Sequence, residues 1–401
     1  MYKTNRQLFF EHLAPTSQFP LAIEIERAEG VYMFSPHGKS YIDFISGIGV
    51  SNVGHCHPKV VEAINAQSQK YMHLMVYGEY IQAPQVQLAQ WFAEHLPKSL
   101  NTTYLTNSGT EAIEGAMKLA KRATGRSKII SCKNAYHGST QGALSIIGNE
   151  TFKQNFRPLL PDCYQINYNN FSDILSIDNT VAAVFIETVQ GEAGYIEPFE
   201  NYLFELQKQC NKVGALLVCD EIQCGAGRTG KLWAFEHYNI VPDILCLAKG
   251  IGGGMPIGAF IASHNLMNYF TIQPILGHLT TFGGHPVSAA AALACMNVLV
   301  QNNLIEDVLF KGEFIKKMMV HKAIKSIRGK GLMLAIEFEN FDLNKQIIDG
   351  CIANGVITDW FLFCDNAMRI APPLTITIEE IEKACSIILK SIDEVVTQRR
   401  N

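Results

Sequence analysis

Five short, largely apolar runs punctuate the middle of the chain: Lys128–Ser131, Val181–Ile186, Leu216–Cys219, Ile244–Ala248 and Ala259–Ala262. Strands covered on both faces read as near-continuous Val/Ile/Leu runs, because neither face meets water. Segments with helical spacing lie between them. In Glu111–Ala123, residues Ala112, Ala116, Leu119, Ala120 and Ala123 recur on one side. A short strand at Thr103–Leu105 precedes that helix. Strands alternating with helices specify an α/β fold built on a parallel sheet.

A chain of 401 residues is too long for one ordinary core and predicts two or three units. The alternating pattern runs over residues 51–285, which reads as a large α/β domain. Past His285-Pro286 the style changes. An Ala-rich helix, Val287–Val300, leads to strands at Leu332–Phe338 and Met368–Ile370, with helices at Lys345–Ala353 and Ile378–Thr397. Residues 286–401 are therefore expected to form a smaller α+β domain. Residues 1–50 carry strand-like pieces at Leu21–Ala28 and Val31–Phe34, then a turn at Pro36-His37-Gly38, and are expected to pack with the small domain.

Hydrophobic residues at 48% against 17% charged describe a core-rich globular chain. A net charge of -4 without a basic block argues against nucleic acid or an anionic membrane as partner. Met1–Phe10 lacks the apolar stretch of a secretory leader, and Ser288–Leu299 is too short to span a bilayer. The eleven cysteines include no C-x-x-C pair and several fall in strand-like runs, so they read as reduced thiols of a cytoplasmic protein. His55-Cys56-His57 is read as a loop and not a metal site, since three adjacent residues turn poorly to one ion.

Ligands of open α/β sheets gather at the carboxyl ends of the strands. Those ends carry Ser108-Gly109-Thr110, Glu187, Asp220 and Lys249. A phosphate grip, two carboxylates and a lysine on one rim suit a phosphorylated cofactor bearing an aldehyde and a pyridine ring. Ser108-Gly109-Thr110 opens a helix, where backbone N–H groups and the dipole favour an anion; a plain N-cap would look the same. Asp220 can hold a pyridine nitrogen protonated, or simply cap a turn. Gln223 could donate to the ring's phenolic oxygen, and Ile222 could pack on a ring face. Lys249 ends an apolar strand and precedes a glycine-rich loop, Gly250–Gly254. A buried lysine there is costly unless it serves as a nucleophile, or else it snorkels outward. Tyr136, in Tyr136-His137-Gly138, can stack on a ring or fill a core. Arg369, flanked by apolar residues and followed by Pro372-Pro373, suits a carboxylate or a structural ion pair.

Asn107-Ser108-Gly109-Thr110-Glu111-Ala112, Tyr136-His137-Gly138, Asp220-Glu221-Ile222-Gln223, Lys249-Gly250, Thr280-Thr281-Phe282-Gly283-Gly284 and Arg369 occur in the order seen in class III aminotransferases. The chain resembles this ornithine/acetylornithine/4-aminobutyrate/putrescine group of fold-type I enzymes from about Tyr32 to its last helix. The resemblance implies a large domain with a mostly parallel seven-stranded sheet, a smaller α+β domain, pyridoxal 5'-phosphate as cofactor, and a homodimer with shared active sites. By it, Lys249 carries the cofactor, Asp220 pairs with the pyridine nitrogen, and Gln223 binds the ring oxygen. Ser108, Gly109 and Thr110 hold the phosphate, with Thr281 reaching the phosphate of the other subunit. Tyr136 stacks on the ring, and His137, Glu187 and Ile222 complete the cofactor site. Arg369 binds the α-carboxylate of glutamate or 2-oxoglutarate, and Glu192 neutralises that arginine while an ω-amine donor is bound.

One departure matters. Enzymes acting on acetylornithine, ornithine or 4-aminobutyrate carry an arginine directly after the aromatic-x-Gly motif, where this chain has Ser139. Putrescine-type enzymes lack it. The expected reaction is therefore transfer of an ω-amino group from a diamine or ω-amino acid to a 2-oxo acid, with acetylornithine-type, succinylornithine-type and 4-aminobutyrate donors as alternatives. An aminomutase or racemase could use the same Lys249 and Asp220. A nicotinamide dehydrogenase is the remote rival: Gly225-Ala226-Gly227-Arg228-Thr229-Gly230 fits G-x-G-x-x-G in letters but does not form the immediate turn of its strand.

Overall fold

The computed structural model describes residues 3–399. Its centre is a seven-stranded sheet made of β1 (Thr102–Thr106), β2 (Lys128–Cys132), β3 (Cys163–Ile166), β4 (Val181–Glu187), β5 (Leu216–Asp220), β6 (Ile244–Leu247) and β7 (Gly258–Ala262). The spatial order is β1-β7-β6-β5-β4-β2-β3. The ladders from β3 through β6 are parallel. All seven residues of β4 are buried, which is why its sequence shows no alternation. Each large aliphatic or aromatic side chain buried there contributes roughly 1.5–3 kcal/mol; an aspartate at Val184 would reverse that locally.

The last strand departs from the parallel expectation: β7 runs antiparallel to both β6 and β1. A parallel return needs a long crossover, usually a helix, whereas antiparallel neighbours can be joined directly. Between β6 and β7 lie only a 3-10 turn at Lys249–Gly252 and a short glycine-rich loop. The direct return holds Lys249 at the rim between two core strands.

Gly109–Thr124 forms the helix that covers this edge of the sheet. Ser108 caps it by accepting from the Glu111 N–H at 3.4 Å, and Gly125 ends it at φ +67°. Its buried stripe, Ala112, Ile113, Ala116, Leu119 and Ala120, faces the sheet. Gly115 is required here because a Cβ would come within 2.3 Å of the Phe260 ring.

Two four-stranded sheets flank the centre. In one, Ser40–Asp43 pairs in parallel with Val356–Ile357, so the beginning of the chain ladders onto its C-terminal part. In the other, Trp360–Phe361, Cys364–Ile370, Met333–Glu337 and Ser326–Lys330 form an antiparallel set that carries Arg369. Of the expected strand at Leu21–Ala28, only Arg27–Glu29 forms. Ala22 is left-handed at φ +46°, and the ladder reaches only as far as its hairpin partner, Tyr32–Phe34. Helices at Pro286–Gln301, Phe341–Ala353 and Ile378–Gln398 match the expected positions within a few residues. No helix among the described residues is long and apolar enough to cross a membrane.

Candidate active site

Glu187, Asp220 and Lys249 follow from three neighbouring strands. Glu187 and Asp220 are direct partners in the β4–β5 ladder, and β6 ends two residues before Lys249. Together with Ser108, Gly109, Thr110, Tyr136, His137, Ile222 and Gln223, all three line one cavity of about 510 Å³. Arg369, Glu192 and Thr281 do not line it.

Asp220 is fixed on both oxygens: Oδ2 lies 2.7 Å from His137 Nδ1, and Oδ1 accepts from the Ile222 N–H at 3.0 Å. Burial works against a charged His137, but the hydrogen bond and charge of Asp220, aided by Glu187, raise its pKa on balance. His137 Nε2 is buried without a partner among the described residues. Glu187 accepts from the Tyr136 N–H at 3.0 Å and the Gly191 N–H at 2.8 Å. Burial pushes its pKa up to about 7. Glu187 thus ties the segment carrying Tyr136 to the one carrying Glu192.

Lys249 is a lysine at φ +48°, a left-handed conformation that side-chain-bearing residues seldom adopt. Burial lowers its pKa, opposed by the charge of Glu192. A lowered value favours the neutral amine needed for attack on a carbonyl. Close packing shapes the opposite wall. A Cβ on Gly109 would fall 2.8 Å from Ile222, and one on Gly138 would fall 2.3 Å from Thr110 Oγ1. Thr110 Oγ1 is 2.6 Å from Thr140 Oγ1.

Behind Gln223 lies a second charged cluster. Arg369 and Glu192 form a two-pronged pair, Nη1–Oε1 at 3.0 Å and Nη2–Oε2 at 2.9 Å. Arg369 Nε donates to Asp359 Oδ1 at 2.9 Å, and its guanidinium lies 4.4 Å from the Phe361 ring centroid. Burial opposes the charge, but Tyr195, Glu192 and Asp359 together raise the Arg369 pKa. Gln223 joins the clusters: its Oε1 accepts from Arg369 Nη1 at 3.2 Å, and it lines the cavity as well. Asp359 and Tyr195 were not anticipated from sequence. The aspartate beside Trp360-Phe361, ten residues before Arg369, was the available signal. Thr281 stands apart and exposed, its carbonyl accepting from His73 Nε2 at 2.9 Å.

The glycine pattern of the dehydrogenase rival is not a nucleotide-binding turn. No helix directly follows β5; residues 222–229 are turns. Arg228 in their midst is buried and donates to the Leu332 carbonyl at 3.1 Å, the Pro372 carbonyl and Asn52. Those contacts fasten the central sheet to the C-terminal part.

The donor set fits pyridoxal phosphate: a rim lysine, a fixed carboxylate across from it, a capped helix start, and a glycine-lined wall beside an unpartnered ring nitrogen of His137. Residues 13–392 match the family described as Aminotransferase class-III. The chain belongs to the class III aminotransferases. It is 38% identical over 376 residues to the acetylornithine aminotransferase of Methanopyrus kandleri, covering 93% of this chain and 94% of that one. It is 36% identical to a [LysW]-aminoadipate semialdehyde/glutamate semialdehyde transaminase of Sulfurisphaera tokodaii, covering 94% and 96%. In structure it is similar to an ornithine aminotransferase from Toxoplasma gondii, with TM-score 0.91, 29% identity and coverage of 98% and 95%. The class III aminotransferases are pyridoxal-phosphate enzymes of mixed α/β fold, and this chain is one.

Proposed function

We propose that this aminotransferase takes an ω-amino group from a diamine or related ω-amine and gives it to a 2-oxo acid such as 2-oxoglutarate, in two ping-pong halves. The single observation that carries the donor reading is the cavity wall. Ser139 stands where a carboxylate grip is needed for an acidic donor, its Oγ 3.0 Å from the Tyr136 hydroxyl, and no arginine among the described residues lines the cavity. Bound pyridoxal phosphate supplies the carbonyl that receives the amino group and the ring that accepts electrons. Lys249 Nζ moves the proton from the donor carbon. Asp220, held by His137 and Ile222, keeps the proton on the pyridine nitrogen. Ser108, Gly109 and Thr110 would hold the phosphate, and Tyr136 and Ile222 would pack against the ring. Arg369 binds the carboxylate of the 2-oxo acid once Glu192 has released it, and Glu192 covers the arginine again for the uncharged end of an amine.

A homodimer is part of the same reading. Thr281 is exposed away from its own cavity, which fits a role at the partner's phosphate. Division into residues 1–50, 51–285 and 286–401 is proposed with it, supported by the Ser40–Asp43 ladder to Val356–Ile357. A cytoplasmic location is proposed on the eleven unpaired thiols.

A second reading, an acetylornithine-type donor, is favoured by the names of curated relatives at 36–38% identity. Holoenzyme mixed without acceptor with putrescine, N-acetylornithine, ornithine or 4-aminobutyrate separates the two. Loss of the cofactor's visible absorbance fastest with putrescine is the expected result. Fastest loss with N-acetylornithine would replace the first reading with the second.

A further inference from the structure

The strands Trp360–Phe361 and Cys364–Ile370 are joined by a tight turn at Leu362–Phe363. Both N–H groups of that turn are committed to one residue. Leu362 donates to Glu192 Oε2 at 3.1 Å and Phe363 donates to the Glu192 carbonyl at 3.1 Å. The Phe363 ring is half-buried, with its centroid 6.5 Å from the ring of Tyr136 and 5.1 Å from that of Phe152. Tyr136 lines the cavity and is hydrogen-bonded to Ser139. The wall at Ser139 therefore carries the Tyr136 ring and two hydroxyls, and Phe363 stands beside Tyr136 just outside the cavity lining. Of the basic residues that follow Phe152, Lys153 donates to the Ser145 and Ile147 carbonyls and Arg157 is taken up by Glu150 at 2.6 Å.

We propose that Phe363, with Tyr136, is the donor-selecting residue pair: their ring faces receive the distal ammonium of an ω-amine donor. This rests on the diamine reading above. Aromatic faces attract a cation that has left part of its water behind, and the hydroxyls of Tyr136 and Ser139 can accept from it. A carboxylate at the same place would meet the negative faces of the rings. The turn also has both its anchors only while Glu192 covers Arg369. The Leu362 N–H is bonded to the same carboxylate oxygen that holds Arg369. Swinging the Glu192 side chain away to admit a 2-oxo acid frees Arg369 and the Leu362 N–H, while the Phe363 N–H stays on the Glu192 backbone carbonyl.

The test compares Phe363→Ala and Phe363→Leu with wild-type holoenzyme in single-turnover half-reactions, using putrescine and glutamate. The alanine variant is expected to react roughly tenfold more slowly with putrescine, and within about twofold of wild type with glutamate, which needs Arg369 instead. The leucine variant keeps apolar bulk without a ring face and is expected to resemble alanine. Equal losses with both donors would make the turn merely structural and overturn the proposal, as would full putrescine reactivity in the leucine variant. Wild-type enzyme inert to diamines would remove the donor reading and this inference together. A diamine-active wild type with an unselective alanine variant would remove this inference alone.

Discussion

Asp220 and Glu192 are carboxylates of one site held in opposite ways. Asp220 ends a core strand, and both its oxygens are engaged by groups on fixed backbone, His137 and the Ile222 N–H. Glu192 sits on a loop and meets Arg369 with both oxygens, while a partner from a turn, Leu362, shares one of them. The first arrangement has one state. The second has an alternative whenever another carboxylate reaches Arg369. A strand end gives an unchanging electrostatic setting, and a loop ion pair gives a replaceable one. On the function proposed above both are used, because the cofactor is the same in each half of the reaction and the substrates differ in charge.

Removing the group that both clusters serve has the largest expected effect. Lys249→Ala is expected to lower turnover by roughly 10³-fold or more, measured with any donor that wild type accepts; comparable activity would discard the assignment. Asp220→Asn should slow both half-reactions alike, by on the order of 10²-fold, with phosphate affinity little changed. If only one half slowed, Asp220 would belong with Glu192 on the replaceable side. Glu192→Gln should slow the amine half-reaction about fivefold and leave the glutamate half near wild type; equal slowing of both would show a fixed role like that of Asp220.

The smallest effect concerns Glu187, whose pKa is raised to about 7 by burial. A carboxyl with a raised folded value adds stability that is complete below the ordinary carboxylate range and is lost as pH rises through about 7. Holoenzyme melts across pH 5 to 8 should therefore show a downward slope that Glu187→Gln makes flatter, by about 2 °C over the range. An unchanged slope would mean that the two backbone donors, Tyr136 and Gly191, keep Glu187 ionised throughout.

The rigid half of this comparison was the more legible one in sequence. Strands β4, β5 and β6 are buried on both faces, so they appear as apolar runs, and the residues just past such runs are the rim. Strand β3 lies at the sheet edge with Tyr164 exposed, and its residues, Cys163–Ile166, make no run. The antiparallel sense of β7 was hidden as well, because burial pattern does not encode direction; only the shortness of the connection does. On the replaceable side, Arg369 stood out as an arginine among apolar residues and Glu192 entered through family likeness, while Asp359 and the Leu362–Phe363 turn gave no such sign. Their roles arise from a hairpin that folds back on a loop far away in the chain, and neither periodicity nor a local motif records such a meeting.

Strand β1 has a single ladder partner, β7, although nearly the whole central sheet lies between them in sequence. During synthesis the segment carrying Ser108–Thr110 leaves the ribosome early and has nothing to pair with. Its partner emerges only after Lys249 has been made. Ser108–Thr110 and Lys249 are therefore brought onto one rim in a single closing event, when β7 slots in beside β1 and β6.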